Sequence, residues 1–320
     1  MNDPLVSVSI FSYNSERFIE QCLQSVLTQD YSNFEIVISD DASTDETGSI
    51  IHAYQKKYPN IIKLYCNASN LGVTKNANVS LLHCTGKYIA FLGADDLMLP
   101  EKLKKQVEYM ESHPECSICY HDVEVFFHND PKKKSFLHHH AAKPREGKVN
   151  VAIKYGPFNA GCATMVLRKK IPSYGYDERL KVAADGLLWV EILASGGEIH
   201  YLNKILARYR IHNKNVSKLM CVEIAFDFLI HHSKLLMKYP HYSSIILNNY
   251  ADSLFMAAKY SSNSLYYLKT SFKIKKSLKT FLLIFLHYAS LGKCSFNSKL
   301  MRQVNEFITN TRIRINALIY

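Results

Sequence analysis

The chain has 320 residues, 48% hydrophobic and 21% charged, with a net charge of +11, the composition of a folded globular protein and not of a disordered, collagenous or low-complexity one. A chain of this size hides roughly three-quarters of the surface its unfolded form exposes, so no disulfide or metal staple is needed for stability. The charge is uneven: residues 1–215 hold 25 Lys and Arg against 24 Asp and Glu, whereas residues 216–320 hold 14 against 4, a split that marks a separate C-terminal module meeting nucleic acid or phospholipid headgroups.

The N-terminus MNDPLVSVSIF lacks the features of a signal peptide. The longest strictly apolar run, Phe281 to Leu286, falls far short of the ~20 residues of a membrane span. A cytoplasmic protein is expected. The eight cysteines form no compact framework and read as reduced thiols. The single C-x-x-C, Cys116 and Cys119, lies within an expected strand, where two buried thiols are favoured over a zinc pair.

Taken in chain order, Leu5 to Ser12 reads as a buried strand, and Glu16 to Thr28 places Phe18, Ile19, Cys22, Leu23, Val26 and Leu27 on one helix face. Phe34 to Ser39 is a second strand ending in Asp40-Asp41, after which Ser43 or Thr44 is expected to cap a helix. Strand Ile61 to Tyr65, helix Val73 to His83, strand Lys87 to Leu92 and helix Glu101 to Ser112 continue the alternation. Such alternation predicts an α/β fold with a mainly parallel sheet flanked by helices.

Farther on, strands Ser117 to Phe127 and Ala163 to Arg168 flank a polar loop, Asn129 to Lys148, with Lys132-Lys133-Lys134 and His138-His139-His140. It reads as a mobile loop; three histidines could bind metal, but adjacent side chains there diverge. Asp185 to Leu193 is a helix carrying the only tryptophan, Trp189. Beyond Ser217 the chain reads as helices, Val222 to Tyr239, Ser243 to Tyr260 and Tyr266 to Leu291.

Ligands of open α/β sheets gather at the carboxyl ends of the strands. Those ends carry Tyr13 and Asn14, Asp40 and Asp41, and Asp95 and Asp96. The first glycine is Gly48 and no G-x-x-x-x-G-K-[ST] occurs, which disfavours dinucleotide dehydrogenases and P-loop NTPases. Adjacent carboxylates repel unless neutralised, and oxygen ligands favour Mg²⁺ or Mn²⁺. Alone, Asp95-Asp96 reads more readily as a solvated turn that caps the next helix; the second acidic strand end favours a metal–diphosphate site.

VSVSIFSYN, FEIVISDDASTDET, NLGVTKNAN and GKYIAFLGADDLMLP, in this order and spacing, resemble the start of the family 2 glycosyltransferases, which have the Rossmann-like GT-A fold. The likeness is strong over residues 4–115 and weaker through AADGLLWVEILASGG and RYRIHNKNVS to about 217. It implies a nucleotide-sugar donor, a divalent metal (Mn²⁺ or Mg²⁺) and inversion at the anomeric carbon. It also implies a GT-A domain over 1–217, with a nucleotide-binding half (1–115) and an acceptor half (116–217), followed by a basic helical region, 218–320.

By the same resemblance, Tyr13 stacks on uracil beside Asn14, where the plain alternative is a core tyrosine. Asp41 accepts the uracil imide proton while Asp40 holds the turn. Asp96 is the metal ligand, with Asp95 toward the ribose or the metal's waters; the first aspartate of a full D-x-D-D is absent from Gly93-Ala94-Asp95-Asp96. Lys75 neutralises the diphosphate at a helix N-terminus, or is a surface lysine. His212 matches a histidine near metal and diphosphate. Asp185 matches the catalytic base, with a helix N-cap as the alternative.

In the C-terminal region, KTSFKIKKSLKTFLLIFLHYASLGK joins lysines to an apolar helix face that suits an anionic membrane surface, or packing on the protein or a second subunit. The family context implies a polyprenyl-diphosphate-linked saccharide acceptor, as in bacterial O-antigen and capsule pathways, with the enzyme peripheral on the cytoplasmic membrane. A processive enzyme is not expected, for want of membrane spans and a Q-x-x-R-W motif. Two rival readings are a noncatalytic binder of nucleotide-sugars or nucleic acid, the latter opposed by the acidic cluster, and a nucleotidyltransferase.

Overall fold

The computed structural model describes residues 3–284 except 129, 131, 141, 142, 158, 278 and 279. The chain divides into two compact units, Met1–Met220 and Cys221–Tyr320.

In the first unit the apolar runs form parallel strands β1 (Val6–Ser12), β2 (Phe34–Asp40), β3 (Ile62–Cys66) and β4 (Tyr88–Gly93), side by side in the order β3-β2-β1-β4. β1, β2 and β4 are buried along nearly their whole length, which explains their unalternating apolar sequence. Helices α1 (Ile19–Leu27), α2 (Thr47–Lys57) and α3 (Val73–Leu82) make the crossovers. α1 buries Ile19, Cys22, Leu23 and Val26 as its spacing predicts.

Beyond β4 the sheet is mixed rather than mainly parallel. It continues through β5 (Leu97–Met98), β6 (Cys116–Phe127), β7 (Phe136–Leu137), β8 (Thr164–Leu167) and β9 (Glu198–Ile211), with spatial order β4-β8-β6-β9-β5 and β7 on β6. β8 is antiparallel to β4 and β6, β9 is parallel to β6, and β5 is antiparallel to β9. Around them lie α4 (Lys102–Ser112), α5 (Val149–Tyr155), α6 (Asp185–Ala194) and α7 (Val216–Leu219). A buried link joins α4, β6 and the turn before β8: Lys102, fully enclosed, donates to Gln106, whose amide donates to the carbonyls of Cys119 and Ala163, each at 3.0 Å.

The fourteen-residue β9 is not among the elements expected from the sequence. The helix after Asp41 begins at Thr47, because Ser43 and Thr44 bond backward to Asp40 and Asn14 and do not cap it. The loop after β6 contains β7 and a 3₁₀ turn, His138–His140, in which His139 is bonded to buried Asp122. Cys116 and Cys119 are buried free thiols.

The second unit stacks α8 (Cys221–Lys238), α9 (Ser243–Ala257) and α10 (Ser264–Ile274). The Ser271 hydroxyl donates to the Ala251 carbonyl at 2.8 Å, and Ala258, Leu268 and Leu283 form an apolar cluster with Phe255, Tyr267 and Ile284. The helix expected over Tyr266 to Leu291 is interrupted after Ile274, where Lys275 pairs with Asp252 at 2.7 Å; residues 285–291 lie outside the described residues. Among the described residues no helix is long and apolar enough to cross a membrane.

Ala42 sits in the left-handed region, φ 56°, where its Cβ crowds the following carbonyl. Ala42→Gly should therefore stabilise the protein by about 0.5–1 kcal/mol after the greater freedom of unfolded glycine is offset, seen as a raised denaturation midpoint with unchanged slope.

Candidate active site

Every sequence-predicted residue of the donor half lies at or just beyond the carboxyl ends of β1, β2 and β4 or at the start of α3. Tyr13 is 48% exposed and is not a core tyrosine. Asn14 adopts φ 47° and ties two crest loops together, its N–H donating to Ser43 Oγ (2.9 Å) and its Oδ1 accepting from the Thr44 N–H (2.8 Å). Asp40 accepts from Ser12 Oγ, Ser43 Oγ and the Ser43 N–H, so it holds the turn.

Asp41 is buried, and its carboxylate already accepts from Asn67 Nδ2 (2.9 Å) and the N–H groups of Leu71 (2.8 Å) and Gly72 (2.9 Å). A carboxylate offers about four acceptor directions, so one more donor can be received. The bonds to Leu71 and Gly72 fasten the start of α3, where Lys75 is exposed on the first turn. That helix start is partly occupied by protein, since the Thr74 N–H donates to the Lys181 carbonyl at 3.3 Å.

Asp95 and Asp96 leave β4 in a tight turn, the Asp96 N–H donating to the Gly93 carbonyl at 3.0 Å. Both carboxylates fold back over Gly93: a Cβ there would stand 2.8 Å from Asp95 Oδ1 and 3.4 Å from Asp96 Oδ2. Burial, and next the neighbouring Asp95 charge, push the Asp96 carboxyl well above its ordinary range, opposed by hydrogen bonds from Arg210 and the Cys162 thiol.

Arg210, on β9, is the functional residue that the sequence reading missed. It is 3% exposed; its N–H donates to Asp96 Oδ1 (2.9 Å), its Nε to the Asp95 carbonyl (2.7 Å) and its Nη2 to Gln21 Oε1 (2.9 Å). The guanidinium lies over the rings of Phe18 (4.9 Å) and Phe126 (4.8 Å), faces that attract a cation while excluding water. The signal was present in RYRIHNKN, where arginine and histidine two apart must share a strand face.

His212 is buried, and its Nε2 lies 2.9 Å from Asp95 Oδ2. Because the Lys214 N–H donates to Nδ1 (3.2 Å), the ring proton resides on Nε2 and is given to Asp95. Asn215 fixes the loop, accepting from the His212 N–H at 2.6 Å and donating to the Arg210 carbonyl at 3.0 Å.

Asp95, Asp96 and His212 are thus brought together, but among the described residues no three His, Cys, Asp or Glu side chains are poised to hold a metal jointly. The test of fit is chemical. Two oxygen donors in mutual repulsion, one pushed toward its neutral form, suit a divalent cation; His212 fits as a ligand only after giving up its Nε2 proton.

Asp185 is the first residue of α6. The cap position is Ala184, so Asp185 is not the N-cap. Its Oδ1 accepts from the Gly186 N–H (2.8 Å), and burial raises its pKa. Trp189, one turn on, is buried edge-to-face against Phe91 of β4 at 5.4 Å, which fixes α6 to the sheet.

Carboxylates gathered at the strand ends of an open α/β sheet mark the class: a ligand-handling enzyme of that architecture. Residues 7–175, more than half the chain, match the family described as glycosyl transferase family 2. The chain belongs to that family and is a glycosyltransferase. It is 30% identical over 214 residues, 67% of this chain and 82% of the relative, to TuaG of Bacillus subtilis (strain 168), a glycosyltransferase named for teichuronic acid biosynthesis. It is 32% identical over 220 residues, 67% of this chain and 80% of the relative, to the Escherichia coli UDP-Glc:alpha-D-GlcNAc-diphosphoundecaprenol beta-1,3-glucosyltransferase WfaP. The crystal structure of S. aureus TarS 1-349 matches with a TM-score of 0.64 at 19% identity, covering 96% of this chain and 91% of that one. The mannosyltransferase PcManGT from Pyrobaculum calidifontis, in complex with GDP-Man and Mn²⁺, matches at 0.60 and 18%, covering 95% and 83%. At such identity the two structures speak to the fold alone, and the GT-A class expected from the sequence is correct; membership of the family sets aside the noncatalytic and nucleotidyltransferase readings.

Arg210→Met keeps the backbone N–H bond to Asp96 but removes the guanidinium's bonds to the Asp95 carbonyl and Gln21 and its positive charge beside the acidic pair. It should lower stability by about 1–3 kcal/mol at neutral pH. Without the guanidinium the Asp96 carboxyl rises further above its unfolded value; a carboxyl so raised destabilises most above its folded pKa, so the loss should shrink on acidification. Denaturation series of both proteins between pH 5 and 8 measure this.

Proposed function

We propose that the enzyme transfers one sugar, with inversion, from a UDP-sugar to a saccharide carried on a polyprenyl diphosphate, in the assembly of a bacterial surface polysaccharide. The observation that carries this reading is the acidic pair at the end of β4, buried Asp96 and half-buried Asp95, braced by Arg210 and His212. The names of WfaP, which specify UDP-Glc and a diphosphoundecaprenol acceptor, and of TuaG support it.

On this reading residues 1–115 bind the donor, 116–217 receive the acceptor, and 218–320 form the basic helical region. The exposed ring of Tyr13 is a platform for uracil, with Asn14 shaping the loop beneath it and Asp41 offering its remaining acceptor direction to the imide N–H. Lys75 faces the diphosphate from the start of α3. Asp96 would hold Mn²⁺ or Mg²⁺, with Asp95 toward the ribose or the metal's waters, and His212 would join Asp96 on losing its Nε2 proton; the cation would supply Lewis-acid relief of charge on the departing diphosphate. Asp185 removes the proton of the acceptor hydroxyl as that oxygen bonds to the anomeric carbon and the bond to UDP breaks on the opposite face. Burial favours this base, because the raised pKa makes its carboxylate a stronger proton acceptor.

Three outcomes test the reading. Asp96→Ala should abolish metal-dependent UDP binding, measured calorimetrically, while circular dichroism stays unchanged; retained binding, or full activity in EDTA, counts against the metal role. Asp185→Asn should keep UDP affinity and lower transfer by roughly 10²–10⁴; the wild-type rate should fall as pH drops, with its acid limb above the ~3.9 of an ordinary aspartate. Because residues 216–320 hold 14 Lys and Arg against 4 Asp and Glu, the protein should cosediment with anionic vesicles and be released by salt, whereas equal sedimentation with neutral vesicles removes the electrostatic part of peripheral membrane binding.

A further inference from the structure

A second polar group stands at the carboxyl edge of the sheet, outside the transfer chemistry. Across the ladder Ile89 of β4 pairs with Val166, and Val166 with Ile118 of β6. Asp122 of β6 is therefore level with Gly93 of β4, two strand spacings or about 10 Å away. The β6–β9 register is irregular on both sides of Asp122, the kind of bulge that re-aims a side chain. Its carboxylate is buried and accepts from the N–H groups of Val123 (3.0 Å) and His139 (3.1 Å) and from His139 Nδ1. The His139 side chain remains 37% exposed, with Nε2 on the ring edge opposite the carboxylate.

Two residues back along β6, Tyr120 packs on Tyr201 at 5.2 Å, and its hydroxyl accepts from the Arg145 N–H (2.6 Å). The Arg145 guanidinium lies 4.1 Å over the exposed ring of Tyr155, and Lys154 Nζ lies 5.0 Å from the same ring. A hydrogen bond from Lys154, with the charges of Lys154, Arg145 and Lys143, holds the Tyr155 phenol below its usual pKa, so these cations share one surface. Residues 132–148 carry five lysines and an arginine against one acid, Glu146, which is engaged with the Tyr201 N–H at 2.9 Å.

We propose that His139, set by Asp122, together with Arg145, Lys143 and Lys154 around Tyr155, forms a subsite for the phosphate group borne by the acceptor saccharide. The proposal rests on the acceptor reading above and adds where its anionic end is held. A guanidinium fork and two ammonium groups on one surface, with the His139 imidazole fastened to Asp122 two residues on from Tyr120, match phosphate oxygens. The phosphate could belong to a lipid diphosphate or to a polymer phosphodiester; the chemistry at this surface is shared.

The test is titration calorimetry of the full chain with inorganic pyrophosphate in EDTA, where the acidic pair repels the anion. Wild type should bind, and His139→Gln and Arg145→Gln should each weaken binding roughly tenfold, the worth of a charged hydrogen bond. Asp122→Asn, which keeps the shape but frees His139, should weaken it too. UDP affinity, measured separately with Mn²⁺, should be unchanged in all three. No pyrophosphate binding by wild type, equal binding by the variants, or parallel loss of UDP and pyrophosphate binding overturns the proposal. Farnesyl diphosphate in detergent bound more tightly than a glycerol phosphate diester oligomer supports the lipid source, and the reverse order the polymer source; farnesol binding as well as farnesyl diphosphate overturns both. Absent UDP binding with the pyrophosphate differences intact would fail the donor reading alone.

Discussion

Adjacent carboxylates at the end of a buried strand repel each other and forfeit hydration, and much of the first unit is arranged to make Asp95 and Asp96 tolerable there. Gly93 clears the space into which both fold. Arg210 bonds the Asp96 carboxylate through its backbone N–H and the Asp95 carbonyl through its guanidinium, and the two rings flanking it keep the charge out of water. To bring that residue to the site, β9 must run fourteen residues along β6, past the end of β4. His212 and Asn215 then close over Asp95, and Cys162 approaches Asp96 on a turn held by the buried pair Lys102 and Gln106.

The donor side is secured by a different device, the buried polar face of α3. Asn76 accepts from Ser39 Oγ and Asn67 Nδ2 and donates to the Ser12 carbonyl, which joins β1, β2 and the loop after β3. Asn78 accepts from the Tyr176 N–H and donates to that residue's carbonyl, which anchors the segment leading to α6 and Asp185. Such networks hold side chains on rigid elements rather than on their own loops.

The half of the sheet around β1 was legible because strands buried on both faces spell out their burial as apolar runs, and α1 repeats its apolar residues at helical spacing. β9 was not, because half-buried positions interspersed with Lys204, Arg208 and Arg210 dilute both periodicities, and its partner strand lies some eighty residues earlier. Asp41, Asp95, Asp96 and His212 could be singled out as chemistry-bearing side chains, but what braces them could not: Arg210 gains its meaning only from rings and carboxylates distant in sequence. Likewise Ser43 has the chemistry of a helix cap, but Asp40 and Asn14 compete for it. The pairing of Asp122 with His139 depends on a turn that local pattern does not encode.

The bonds from Arg210 to Asp96 and from His212 to Asp95 span 114 and 117 residues. Closing loops of that length costs entropy that only a largely formed sheet can offset. During synthesis the parallel half can assemble while β9 is still inside the ribosome, with its acidic turn exposed to water and unbraced. The residues that brace the carboxylate pair are among the last of the first unit to emerge, so a nascent chain released before residue 212 would be folded in part with that pair still open to water and unbraced.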